Sequence, residues 1–200
     1  MENIDCVIKT GTLRKKDSLL KDVNGRQFET KQIHSNCFSQ EYFGSRNIPI
    51  FNTGAFSLEK GALTSEGQRY SYTRNSNPTI EAFENIMTVL ENGDISVAFS
   101  SGMAAIFCTI ITLVSPGDSL IVSKQLNGGV YDLFTKIIAK FDVKISFFDS
   151  DNPEEIMQLL DIKTKAVYFD SIGNPMGNIP DFNRIISICH NCSIPVVIDK

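Results

Sequence analysis

The chain has 200 residues, enough for one domain with a sizeable core or for part of a larger one. Its 42% hydrophobic and 21% charged residues are ordinary for a soluble globular protein. A formal net charge of -4 supplies no field that would draw nucleic acid or an anionic membrane, so neither is expected as a partner. No apolar run reaches the ~18 residues that a bilayer span needs. The most apolar stretch, Met103 to Val114, is interrupted by Thr109 and Thr112 and closed by Ser115-Pro116-Gly117. The opening MENIDCVIKTGTLRKKD lacks the basic-then-apolar layout of a signal peptide, so a cytoplasmic location is expected. The densest basic cluster, Arg14-Lys15-Lys16, is too short for a binding arm and reads as a solvated face.

In chain order, residues 1–60 show no clean periodicity and many Asn, Ser, Gly and Thr, and read as an arm or irregular segment. Residues 61–200 read as the first part of a larger domain. A helix opens at Asn77-Pro78 with Glu81 in its first turn, and Ile80, Phe83, Met87 and Leu90 recur at helical spacing. From Asp94 strands and helices alternate. The expected strands are Ile95–Phe99, Leu120–Ser123, Val143–Phe148, Lys165–Asp170 and Pro195–Asp199. The expected helices between them are Gly102–Leu113, Val130–Phe141, one opening at Asn152-Pro153-Glu154-Glu155, and Asp181–Cys189. Strands apolar on both faces and separated by helices indicate an α/β fold, a three-layer parallel sheet covered on both sides. A buried strand as the closing element leads to the expectation that the chain is truncated.

Five cysteines, an odd number, argue against a disulfide framework. Cys189-His190-Asn191-Cys192 has CxxC spacing, but no second ligand pair completes a metal site, and it reads as reduced cysteines at a helix end. No metal is expected.

Ligands of open parallel sheets collect at the carboxyl ends of the strands. Three polar clusters fall there: Ser100-Ser101-Gly102-Met103, Asp170-Ser171-Ile172-Gly173-Asn174-Pro175, and Asp199. Free N–H groups at a helix start favour phosphate. A carboxylate closing an apolar strand needs a cationic partner, from a ligand or from a Lys or Arg. These features alone indicate binding of a phosphorylated small molecule.

Tyr72-Thr73-Arg74, Asn77-Pro78-Thr79, FSSGMAAI, LNGGVYDLF, GNP and VVID, in that order and spacing, resemble the Cys/Met metabolism (trans-sulfuration) family of pyridoxal-phosphate enzymes. Its members include O-acetylhomoserine sulfhydrylases, cystathionine gamma-synthases and methionine gamma-lyases. Thr30-Lys31, Ile33-His34, Pro49-Ile50, Thr53 and Phe56 look like the family's opening segment. The resemblance implies the major domain of aspartate-aminotransferase-type enzymes and pyridoxal 5'-phosphate as cofactor. It further implies C–S bond formation or cleavage on homoserine- or cysteine-derived amino acids, in a homodimer or homotetramer. Ser101, Gly102 and Met103 resemble the phosphate-binding turn. Tyr72 and Arg74 resemble the pair that reaches the neighbouring subunit's phosphate, Asn174 the hydrogen-bond donor to the cofactor's phenolic oxygen, and Asp199 the partner of the ring nitrogen.

The departures from the pattern carry their own expectations. Asn127 stands where the family has a tyrosine that stacks on the ring, and Tyr131, one turn later, is not expected to replace it. The Schiff-base lysine lies further along in the family, and Lys200 cannot serve, because neighbouring strand residues point to opposite faces. No catalytic residue is therefore assigned, and the 200 residues alone are expected to be inactive. The resemblance also implies that Ile95–Phe99 loses its sheet neighbours here, which predicts poor solubility or dependence on a partner chain. Two alternatives stand beside a working half-enzyme: a non-catalytic remnant, or a pseudoenzyme subunit that docks on a full-length homologue.

Overall fold

The computed structural model describes residues 25–35, 43–45, 47–57 and 70–200. Cys6, Cys37 and the Arg14-Lys15-Lys16 cluster lie outside the described residues. The chain divides into two compact units, Met1–Ala98 and Phe99–Lys200. Among the described residues no helix is long and apolar enough to cross a membrane.

In the first unit the seven-residue helix α1 (Phe28–His34) buries none of its side chains. Helix α2 (Pro78–Leu90) begins as its sequence demands: Asn77 is extended and its side chain accepts the Thr79 N–H, with Pro78 in the first turn. The same Asn77 side chain donates to the Phe51 carbonyl (3.0 Å), and the Thr79 hydroxyl to that of Pro49 (3.0 Å). The helix start thereby anchors the segment 49–51. The buried stripe of α2 differs from the expected one. Ala82, Asn85, Thr88 and Val89 are inside, whereas Ile80 and Phe83 are 42% and 54% exposed.

Ile95–Phe99 does not form the expected strand. A strand needs a neighbour to take its N–H and C=O groups. Here the Glu84 carboxylate of α2 takes one of them, accepting the Ala98 N–H (2.8 Å), while the Thr88 hydroxyl bonds the Ser96 hydroxyl (3.0 Å). Burial pushes the Glu84 carboxyl above its ordinary range, against the lowering effect of that N–H. Ile95, Val97 and Phe99 are left exposed.

The second unit holds a four-stranded, all-parallel sheet in the order β2-β1-β3-β4, where β1 is Ser119–Ser123, β2 Lys144–Phe148, β3 Thr164–Asp170 and β4 Val196–Asp199. Every residue of β1 is buried, as its continuous apolar run requires. Alternate side chains enter two separate cores. Leu120, Val122, Ala166 and Tyr168 pack with Ile110, Val130, Phe134 and Ile138 on one face. Ile121, Val167 and Phe169 pack with Phe148, Ile156, Ile185, Ile188 and Cys189 on the other. This is the three-layer α/β arrangement that the doubly apolar strands imply.

Helix α3 (Gly102–Leu113) buries only Ile110 completely, although nearly all its side chains are apolar. The stretch expected as one helix over Val130–Phe141 is three pieces. An α-turn α4 (Gly128–Asp132) passes into a π-turn (Leu133–Ile137) and a 3-10 turn (Ile138–Phe141), ended by left-handed Asp142 (φ 59). The wider turn brings Leu133, Phe134 and Ile138 into the core together. Helices α5 (Glu155–Leu159) and α6 (Phe182–Asn191) cover the opposite face, the latter capped by Asp181, whose side chain accepts the Arg184 N–H.

Candidate functional site

Two of the three candidate clusters lie at the carboxyl ends of strands, residues 170–175 at the end of β3 and Asp199 at the end of β4. The chain turns at Ser115–Asp118 into the amino end of β1, so α3, about 18 Å long at its ordinary rise, begins toward the opposite end of the sheet. Ser101 caps it, accepting the Ala104 N–H on its hydroxyl (3.1 Å) and the Ala105 N–H on its carbonyl (3.0 Å). Among the described residues the Gly102 and Met103 N–H groups meet no acceptor. Ser101, Gly102 and Met103 are exposed, and a Cβ on Gly102 would meet nothing within 4 Å. Two unpaired donors at a helix start, with open space before them, suit an anion.

Asp199 closes β4, and its carboxylate accepts the buried Tyr168 hydroxyl at 2.9 Å. In the β3–β4 register Asp170 lies directly beside Asp199, and the Ser171 N–H donates to the Asp199 carbonyl (2.7 Å). Strand periodicity puts Tyr168, Asp170 and Asp199 on the face that α3 covers. One oxygen of Asp170, Oδ1, is buried without a partner among the described residues. Burial, then the charge of Asp199, push the Asp170 carboxyl up to about 6, while the Tyr168 hydroxyl and the Asn127 N–H pull the other way. Burial and the two carboxylates raise the Tyr168 phenol far enough to keep it protonated. Adjacent carboxyl groups with an orphaned oxygen make a site deficient in positive charge, suited to a cationic group.

Asn174 is exposed on the loop after β3, and the peptide bond to Pro175 is cis. The loop is held from beneath. The Gly173 N–H donates to the Asn178 carbonyl (2.8 Å), and the Gly177 N–H to that of Gly173 (2.7 Å). The Asn178 amide donates to the Ser150 hydroxyl (2.9 Å) and to Asp151 (2.8 Å). Gln125 joins these ends, donating to Asp149 (2.7 Å) and accepting from the Ser150 N–H (3.1 Å) and hydroxyl (3.0 Å). The Asp151 N–H and then Gln125 hold the Asp149 carboxyl below its ordinary range. Sequence reasoning missed this network. Its only signal was a polar residue following each of β1, β2 and β3.

A side chain on Gly173 has no room: its Cβ would stand 2.0 Å from Asn178 Oδ1 and 2.9 Å from Gln125 Cβ. Gly173→Ala is therefore expected to destabilise the protein by about 1–3 kcal/mol in urea denaturation. Asn178→Ala in the same chain should recover part of that loss, because it removes the nearest obstructing atom. An additive double variant would contradict the packing described.

Tyr72 and Arg74 lie in the first unit, both exposed, with the guanidinium 5.2 Å from the Tyr72 ring centre. The Thr73 N–H donates to Gly54 (3.0 Å), and Tyr72 bridges to Ala55, so the turn is pinned to the segment before it. Asn127 caps α4 by accepting the Gly129 N–H (2.8 Å). Tyr131 stacks one face on Phe147, with ring centres 5.3 Å apart and 28° between planes, and stays exposed on the rest of its ring. Burial, then the neighbouring Cys192, push the Cys189 thiol up to about 11, and no metal-ligating cluster occurs among the described residues. A hollow of about 340 Å³ at Asp118, Lys144 and Lys163 lies at the amino ends of the strands, away from these groups.

The profile of the Cys/Met metabolism PLP-dependent enzymes matches residues 29–200. The chain belongs to that family. It is 35% identical over 183 residues to homocysteine synthase of Schizosaccharomyces pombe, covering 89% of this chain and 43% of the relative. It is 38% identical over 183 residues to homocysteine/cysteine synthase of Saccharomyces cerevisiae, covering 86% and 40%. A crystal structure assigned as an O-acetylhomoserine (thiol)-lyase of Campylobacter jejuni superposes with a TM-score of 0.80 at 28% identity, over 87% of this chain and 44% of that one. That structure carries N'-pyridoxyl-lysine-5'-monophosphate. This Cys/Met family chain therefore has the fold of pyridoxal-phosphate enzymes and spans less than half the length of the relatives it matches.

Proposed function

We propose that this chain is the cofactor-gripping portion of a trans-sulfuration enzyme that makes or breaks C–S bonds in homoserine- or cysteine-derived amino acids. The observation that carries the reading is Asp199, oriented by Tyr168 at the strand end and set beside a second carboxyl group that lacks a cation. In this reading Asp199 holds the ring nitrogen of pyridoxal 5'-phosphate in its protonated form. The Gly102 and Met103 N–H groups, with the Ser101 cap, take the phosphate. Asn174 donates to the phenolic oxygen from a loop that the Gln125–Asn178 network holds in place. Tyr72 and Arg74 serve the phosphate of a neighbouring subunit in a homodimer or homotetramer. When bound, the cofactor supplies an electron sink for charge developing on the substrate. Within these residues the reading assigns the grip on the cofactor and no group that bonds it.

One observation favours a second reading, that of a non-catalytic or docking subunit. Asn127 has no aromatic ring and is committed to a helix cap, and one face of Tyr131 is stacked on Phe147, so the position of the ring-stacking tyrosine is left without one.

Pyridoxine 5'-phosphate tests the grip, because it keeps the phosphate and pyridine but has no aldehyde to bond lysines. Fluorescence titration is expected to show saturable binding that inorganic phosphate displaces, and much weaker binding of unphosphorylated pyridoxine. Equal, unsaturable signals from both compounds would overturn the assignment.

A further inference from the structure

Beside the proposed ring-nitrogen partner stands a carboxyl group with no assigned task. Asp170 and Asp199 are register partners at the ends of adjacent parallel strands, where backbones run about 4.8 Å apart and facing side chains share one surface. The Ser171 N–H to Asp199 carbonyl bond (2.7 Å) carries the pairing one residue past Asp170 and keeps the strand ends from parting. Tyr168, fully buried, has committed its hydroxyl to Asp199. Asp170 Oδ1 is sealed from solvent with no partner among the described residues. Two carboxylates this close resist ionising together unless a cation joins them.

We propose that Asp170 is a positioning residue for Asp199: in mildly acidic solution it keeps a proton while no cation is present, and it releases that proton to solvent when a pyridinium docks on Asp199. This rests on the cofactor reading above. The charge balances, because a protonated Asp170 beside an ionised Asp199 leaves one negative charge. Two ionised carboxylates with one pyridinium leave the same. The groups acting on Asp170 are Asp199 on β4, the Tyr168 phenol on its own strand and the Asn127 N–H at the start of α4. Of these only Asp199 is charged, and Tyr168 stays neutral, so Asp170 is the group free to respond. Its carboxyl, already pushed up to about 6, falls when a cation offsets Asp199. Binding is accordingly tighter above that pH and weaker below it.

The test is calorimetric titration of pyridoxine 5'-phosphate into the full chain and into Asp170→Asn, in buffers of different ionisation enthalpy. The ligand's own phosphate and ring titrate in both proteins and cancel in the comparison. The unsubstituted chain is expected to release a proton near pH 6 that the variant does not. It should also lose about tenfold more affinity than the variant between about pH 7.5 and about pH 5. The same proton count and pH profile in both proteins would overturn the proposal while leaving the cofactor grip intact. Failure of both proteins to bind at any pH would overturn the grip, and this proposal with it. Should Asp170→Asn not fold, carboxyl carbon NMR of the unsubstituted chain decides. The Asp170 signal is expected to titrate near 6 without ligand and at lower pH when saturated, and an unmoved titration counts against the proposal.

Discussion

Replacing Phe134 with alanine is expected to destabilise the chain by about 3–5 kcal/mol, a large part of a typical domain's total stability. Phe134 is fully buried in the core between the sheet and the helices that follow β1, and its ring meets Tyr168 at 4.9 Å and 59°. Alanine would remove the transfer energy of the ring and leave a cavity that the close-packed strands cannot fill. The effect should also reach the candidate site, because Phe134 supports the ring whose hydroxyl orients Asp199. Ile137 makes the control: it lies in the same π-turn but is 41% exposed, and its alanine variant should cost about 1 kcal/mol or less. Urea denaturation of both variants measures the difference. A Phe134→Ala cost near that of Ile137→Ala would mean that this core is not closed as described.

Asp199→Asn should weaken binding of pyridoxine 5'-phosphate by about 10–100-fold at neutral pH. Asparagine keeps the size of the side chain and still accepts the Tyr168 hydroxyl, so packing is conserved. The charge opposite a pyridinium is lost, and a hydrogen bond to a charged group is worth about 1.5–3 kcal/mol. Fluorescence titration gives the ratio directly. Unchanged affinity would place the ring nitrogen elsewhere and remove the main support for the proposed function. Loss of binding together with a large loss of stability would mean that Asp199 serves the fold first.

Much of the architecture was legible in the residue pattern. The doubly apolar strands announced a covered parallel sheet, and β1 to β4 formed within a residue or so of where they were expected. Asn77-Pro78 and Ser101 acted as helix starts because capping is a local transaction between a side chain and an N–H two or three residues on. The motif order from Tyr72 to Asp199 pointed to the family that residues 29–200 match.

What depended on distant neighbours could not be read in this way. Ile95–Phe99 has the composition of a strand, yet pairing needs a partner edge, and here the Glu84 side chain takes the Ala98 N–H instead. The spacing of α2 nominated Ile80 and Phe83 for burial, while its surroundings bury Ala82 and Val89. Val130–Phe141 is helical in period, but the core widens it into a π-turn around Phe134. The Gln125 network joins residues 24 and 25 positions apart, and the Tyr168–Asp199 bond spans 31. By itself the sequence determined the helix caps, most element positions and the fold class, because propensity, periodicity and capping act within a few residues, while the order of its motifs carried the resemblance to the family. Only the tertiary structure decided which carboxylates face each other and which donors stay open, because strand register, burial and electrostatic field are set through space.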